Sequence, residues 1–149
     1  GTFSDQSLES WVTEQARRQP IDMLGWCDRA TVAHHLSKAC AGLVVLHPTP
    51  AYEASLPIKL FEYMSAGIPV IASDFEQWRS IVQDNACGLL VDPLDVDSIA
   101  AAMRWILDNP AEASAMGERG RRAVKETYNW NTETAALLGL YEKLASPHA

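Results

Sequence analysis

The sequence predicts an α/β fold in which helices sandwich an open, mainly parallel sheet. Three observations predict it. Short apolar runs (Leu43 to Leu46, Pro69 to Ala72, Gly88 to Val91) alternate with stretches of helical periodicity. The runs show no apolar/polar alternation, as expected of strands covered on both faces. The third is size: 149 residues, 48% of them hydrophobic and 21% charged, suit one domain with a sizeable core and exclude a disordered tail.

The elements follow in order. Ser4 can cap a first helix whose Leu8, Trp11, Val12 and Ala16 have helical spacing, and Pro20 stops it. Ile21 to Leu24 reads as a short strand ending at Gly25. Asp28 can cap a second helix carrying Val32, Leu36 and Ala39, which leads into the Leu43–Leu46 strand. His47-Pro48-Thr49-Pro50 breaks that strand, because a proline donates no ladder bond. The next helix is expected from about Ser55 to Ala66, with Gly67 as its left-handed cap and Pro69 barring continuation. Pro69–Ala72 is then a strand, Phe75–Val82 a helix and Gly88–Val91 a fourth strand. Three helices close the chain. Asp95 caps the first, with an apolar stripe of Ile99, Ala102, Met103 and Ile106. Asn109-Pro110-Ala111-Glu112 opens the second with capping-box spacing and proline at the first helical position. The last begins near Asn129 or Asn131 and carries Ala135, Leu138 and Leu144. Gly1 leading straight into a helix reads as the far end of a further strand, expected in a longer parent chain.

Composition narrows the partners. Twelve Lys plus Arg against nineteen Asp plus Glu leave a net charge of −7, which argues against nucleic acid or an anionic membrane as the main partner. Cys27, Cys40 and Cys87 cannot all pair and form no Cys-x-x-Cys, so reduced, mostly buried thiols in the cytoplasm are expected. No apolar run approaches a membrane span, and the opening residues lack a signal pattern. His34-His35 with Cys27 and Cys40 match no zinc spacing, so no metal is expected. The five tryptophans read as core and helix-docking residues, Trp26 excepted. Ser65, Ser73 and Ser80 sit in no nucleophile elbow, and neither a dinucleotide nor a P-loop glycine motif is present.

Ligands of open parallel sheets bind beyond the carboxyl ends of the strands, near helix N-termini. The loop from His47 to Pro57 is the longest such connection. On the helix it feeds, Ser55, Lys59 and Glu62 are spaced to share one face, while Leu60, Phe61 and Met64 take the other. First-turn amides favour an anion by roughly 0.3–1 kcal/mol when exposed and up to about 2 kcal/mol when partly buried. Lys59 adds charge, and Glu62 can accept hydrogen bonds from a diol such as a ribose. The alternative is an exposed Lys59–Glu62 surface pair worth a few tenths of a kcal/mol. Helix geometry alone leaves both open. His47 ends a strand at the binding edge and is a candidate polar contact. Asp74 reads as a cap for the Phe75 helix and Arg79 as solvated.

The segment Ser55-Leu56-Pro57-Ile58-Lys59-Leu60-Phe61-Glu62-Tyr63-Met64-Ser65-Ala66-Gly67-Ile68-Pro69-Val70-Ile71-Ala72-Ser73-Asp74 closely resembles the donor-binding segment of the GT-B glycosyltransferases of family 4. Leu24-Gly25, Pro48-Thr49, Gly88 to Pro93 and Tyr128-Asn129-Trp130 also fall where that family has counterparts. The resemblance therefore covers nearly the whole chain, in order. It implies a Rossmann-like C-terminal half of a two-domain enzyme, with residues 1–149 forming the nucleotide-sugar-binding domain. It further implies retaining, metal-independent sugar transfer without a cofactor, in polysaccharide or glycoconjugate assembly. Glu62 would hold the ribose hydroxyls. The backbone around Pro57, Ile58 and Lys59 would lie against the diphosphate, with Ser55 beside it and Gly25 and Trp26 near the base. UDP is the first expectation for the nucleotide and GDP the next.

The family's second glutamate, eight residues before the ribose-binding one, falls at Ala54, with Glu53 one residue earlier. Glu53 is thus an open candidate for a sugar contact, as His47 is for donor or acceptor. The basic residues that grip the diphosphate in the family would precede this chain. The implied partner is an N-terminal acceptor-binding domain of the same parent, the sole route to any peripheral membrane contact. The isolated chain is expected to bind donor nucleotide weakly and to transfer nothing. A sugar-nucleotide epimerase half-domain and a non-catalytic nucleotide-binding module are the alternatives.

Overall fold

The computed structural model describes Phe3 and residues 5–145. The chain groups into two compact units, Gly1–His35 and Leu36–Ala149. In the first, Asp5 caps α1 (Gln6–Arg18) by accepting the Ser7 and Leu8 amides at 2.8 and 3.2 Å. Ser4, the cap expected from the sequence, lies outside the described residues. The Ser7 hydroxyl and these two amides hold the Asp5 carboxyl below its ordinary pKa. Asp28 begins α2 (Arg29–Leu36) as expected, with the Thr31 amide 2.8 Å from its carboxylate. The strand expected over Ile21–Leu24 does not form. Residues 21–24 have no ladder partner among the described residues, and Ile21, Met23 and Leu24 stay exposed. A short run with neither a neighbouring strand nor burial gains nothing by extending.

The second unit holds the sheet. Strands β1 (Gly42–Val44), β2 (Val70–Ser73) and β3 (Gly88–Val91) are parallel and ordered β1-β2-β3, with Gly42 opposite Val70 and Val70 opposite Gly88. Central β2 is buried throughout. Its alternation sends Val70 and Ala72 into a cluster with Leu60, Met64, Trp78, Val82 and Ala123, and Ile71 into a second with Val91, Ala102, Ile106 and Ala113. The first cluster draws on α4 (Ile58–Ala66) and α5 (Glu76–Val82), the second on α6 (Val96–Asp108). Helix α7 (Pro110–Glu126) contributes Ala123 to one and Ala113 to the other. The predicted sandwich is therefore present.

Strand β1 departs from a strand covered on both faces: it has one neighbour, and Leu43 is 42% exposed. It also stops at Val44 rather than Leu46. Beyond it, the buried Ser73 hydroxyl accepts the Leu46 amide at 2.8 Å and donates to the Leu46 carbonyl at 3.0 Å, in place of ladder bonds.

Most helix ends follow local chemistry. Gly67, at φ 74°, closes α4. Asp95 accepts the Asp97 and Ser98 amides at the start of α6. Asn129 accepts the Thr132 amide at the start of α8 (Trp130–Ala145). The capping box at 109–112 does not form. Asn109 donates back to the Trp105 carbonyl, and Glu112 takes the Arg119 guanidinium, a charge-assisted bond stronger than a reach to a backbone amide.

Two burial expectations are corrected. Trp78 is fully buried, but Trp11, Trp105 and Trp130 are exposed, and neither α1 nor α8 buries any residue; Trp26, excepted from that expectation, is exposed too. Helical spacing identifies an apolar face without identifying what covers it. All three cysteines are free, yet only Cys87 is buried, while Cys27 is half-buried and Cys40 exposed. Burial pushes the Cys87 thiol up to about 11.

Ala86 sits at φ 46° in the turn before β3, with its carbonyl held by Arg119 Nε at 2.8 Å. A left-handed alanine costs roughly 1–2 kcal/mol. Ala86→Gly is expected to stabilise the chain by about 0.5 kcal/mol after the greater unfolded-state entropy of glycine is deducted. Urea unfolding measures this, and a lowered midpoint would contradict it.

Candidate functional site

Helix α4 is anchored on one side and open on the other. Leu60 and Met64 are fully buried, and Phe61 packs on Tyr128 with ring centroids 5.4 Å apart. Lys59 and Glu62, three residues apart, are exposed, and neither side chain has an ion-pair partner among the described residues. The surface pair weighed from the sequence does not form.

The start of α4 differs from the expected Ser55 boundary. Thr49 caps a separate short helix, α3 (Pro50–Glu53), and α4 begins at Ile58 with Pro57 as its cap residue. Ser55 is therefore not on the Lys59–Glu62 face. A residue before proline is steered to extended backbone, so Leu56 interrupts the helix. Ser55 Oγ donates to the Tyr52 carbonyl at 2.9 Å, and the Ser55 carbonyl accepts Trp78 Nε1 at 2.6 Å. Pro57 offers no side-chain cap. The Ile58 and Lys59 amides meet no acceptor among the described residues, and the Ile58 side chain is 76% exposed. These are the donors that a helix N-terminus offers an anion.

A cavity of about 320 Å³ lies at the carboxyl ends of the strands, lined by Pro48, Glu53, Asp74, Phe75, Asp92 and Pro93. Asp74 is not the cap expected of it. The α5 cap position is Phe75, without a side-chain bond, while Asp74 takes two nitrogens of Arg79, NH2 at 3.0 Å and Nε. The Arg79 hydrogen bond holds the Asp74 carboxyl below its ordinary value, and Arg79, exposed to solvent as expected, is paired as well. Asp92 accepts the Leu94 amide at 2.9 Å. Three carboxylates suit the hydroxyls of a neutral polyol and disfavour a phosphate.

Pro57, Ile58, Lys59 and Glu62 thus share one helix and its cap, and Glu53 lines the cavity at the strand ends. His47 is exposed just past β1 and is not among the cavity-lining residues. Gly25, at φ 65°, and the exposed Trp26 belong to the first unit. Among the described residues, no group of three or more His, Cys, Asp or Glu is arranged to hold a metal ion, and no helix is long and apolar enough to cross a membrane.

Two residues given no site role from the sequence shape this region, Ser73 through Leu46 and Trp78 through Ser55. Their partners lie 27 and 23 residues away, beyond any local signal.

A parallel sheet sandwiched by helices, with its loops opening at the strand carboxyl ends, defines a Rossmann-like GT-B half. The profile of the family described as "Glycosyl transferases group 1" matches residues 4–123, and the chain belongs to that family. It is 33% identical over 95 residues, 63% of its length, to an MMP alpha-(1->4)-mannosyltransferase from Mycolicibacterium hassiacum. It is 39% identical over 82 residues, 55% of its length, to a GDP-mannose-dependent alpha-(1-6)-phosphatidylinositol monomannoside mannosyltransferase from Mycobacterium tuberculosis. Among solved structures, sucrose-phosphate synthase from Thermosynechococcus elongatus superposes with a TM-score of 0.78 at 29% identity over 93% of this chain. The chain spans 23%, 21% and 34% of these three proteins respectively.

Proposed function

We propose that this chain is the donor-binding half of a retaining, metal-independent glycosyltransferase. It binds a UDP- or GDP-linked sugar for transfer to a glycan or glycoconjugate held by an N-terminal domain of the same parent. The observation that carries the reading is α4, a core-anchored helix with uncapped first-turn amides and with Lys59 and Glu62 on one exposed edge. The Ile58 and Lys59 amides and the Lys59 ammonium receive the diphosphate, replacing a metal's charge with donors already oriented. Glu62 accepts the two ribose hydroxyls, and the acidic cavity around Glu53 takes the sugar. The donor is a substrate, and no separate cofactor takes part. Transfer requires the acceptor domain, so the isolated chain binds donor without turning it over. Three free cysteines agree with a reducing, cytoplasmic setting.

Calorimetric titration with GDP, UDP and ADP, beside Glu62→Ala, tests the reading. GDP comes first because one of the relatives is named as GDP-mannose-dependent. The preferred nucleotide is expected to lose about 1–3 kcal/mol of affinity in the variant, roughly 10- to 100-fold, with thermal stability unchanged because Glu62 is exposed. Equal affinity in the two proteins would move the ribose away from Glu62.

A further inference from the structure

We infer that Trp78 is a positioning residue for donor binding: at the interruption that Pro57 favours, its indole N–H holds the Ser55 carbonyl away from the α4 amides and so keeps them open. This rests on the site proposed above.

In a continuous α-helix the Lys59 amide would bond the carbonyl four residues earlier, that of Ser55. Here that carbonyl is turned away, 2.6 Å from Trp78 Nε1. Trp78 can hold it because its ring is fully buried and set edge-on to Phe75, with centroids 4.8 Å apart, which fixes the direction of the N–H. The indole N–H is a donor without acceptor capacity, and a buried one needs a partner. Ser55 supplies it, and Lys59 keeps a free amide. The other end of the same connection is held by Ser73 through both backbone groups of Leu46. Residues 47–54 between the two attachments are exposed. The connection into α4 is thereby pinned at both stems by side chains of β2 and α5, while its middle remains open to a ligand.

The test compares the wild-type chain with Trp78→Phe, and with β-(benzothienyl)alanine at position 78, which keeps the bicyclic ring and lacks the N–H. Amide hydrogen exchange at Ile58 and Lys59 is followed by NMR, and GDP affinity by calorimetry, well below the unfolding temperature of each protein. The expected result is slower exchange at Lys59 in both variants, together with GDP affinity lowered about fivefold or more. The benzothienyl protein retains the ring volume, so it serves if the phenylalanine variant does not fold. Unchanged Lys59 exchange would overturn the inference even if affinity fell, since a merely structural role lowers stability without closing that amide. Unchanged GDP affinity in variants whose Lys59 amide has become protected would overturn it too. A wild-type chain that binds no nucleotide would instead count against the proposed site, while the exchange comparison would still decide whether Trp78 holds the Ser55 carbonyl away.

Discussion

Replacing Gly117 with alanine is expected to destabilise the chain by about 3 kcal/mol, at the upper end of overpacking costs. Gly117 lies within α7, buried where that helix crosses the end of α4. A methyl group there would overlap the carbonyl of Gly67 and approach the Ile68 Cα at 3.1 Å. Both are backbone, so no rotamer change relieves the clash. Gly67 is already committed to φ 74° as the α4 cap, which removes the remaining local freedom. The two helices must separate, and separation also loosens Gly120 against Met64 one turn on. A melting temperature lower by roughly 10 °C is the corresponding signal in calorimetry. Gly139→Ala in α8 is the control: its methyl group would meet nothing within 4 Å, and alanine is the better helix former by about 1 kcal/mol. If the two substitutions behaved alike, α4 and α7 would not be in this close contact.

Truncation of Trp78 to alanine is expected to cost about 3–5 kcal/mol, the range for removing a large aromatic from a core. The ring is fully buried among Phe75, Ile81, Val82 and Leu60 in the cluster beneath β2. Its loss also strips the Ser55 carbonyl of its donor. Denaturant unfolding should show a reduced midpoint at an unchanged slope, because the surface exposed on unfolding alters little. A loss below 1 kcal/mol would mean that the site collapses around the truncation, and that Trp78 does not organise this side of the sheet.

Much of this molecule is readable from short stretches. Asp28 and Asp95 cap helices as expected, and Asn129, one of the two expected starts of the last helix, caps it, because a cap bond spans only two or three residues and both partners are visible together. The same holds for Gly67, where glycine next to Ile68-Pro69 announces a left-handed stop. The Asn109–Glu112 box failed because Arg119, a turn and more further along, offered Glu112 a charged partner. Asp74 failed as a cap for the same reason once Arg79 came within reach. Ser55 had a local sign against it, since Pro57 disfavours helical backbone at Leu56.

The apolar faces divide differently. On α4 and α6 the spacing named a face that is largely buried, the exposed Met103 excepted, because β2 lies beneath it and demands cover on both sides. On α1 and α8 the same kind of spacing names a face that stays exposed.

By itself the sequence determined the α/β class, the approximate positions of three strands, the family and the helix that carries Lys59 and Glu62. Each depends on periodicity, turn chemistry or a contiguous motif, which are local properties. Only the tertiary structure decided that the Ile58 and Lys59 amides stay uncapped, that Ser55 faces Trp78 and that Ser73 holds Leu46 beyond the end of the β1 ladder. Those outcomes depend on which of several competing partners comes within hydrogen-bond distance, and chain segments far apart in sequence become neighbours only when the core closes over β2.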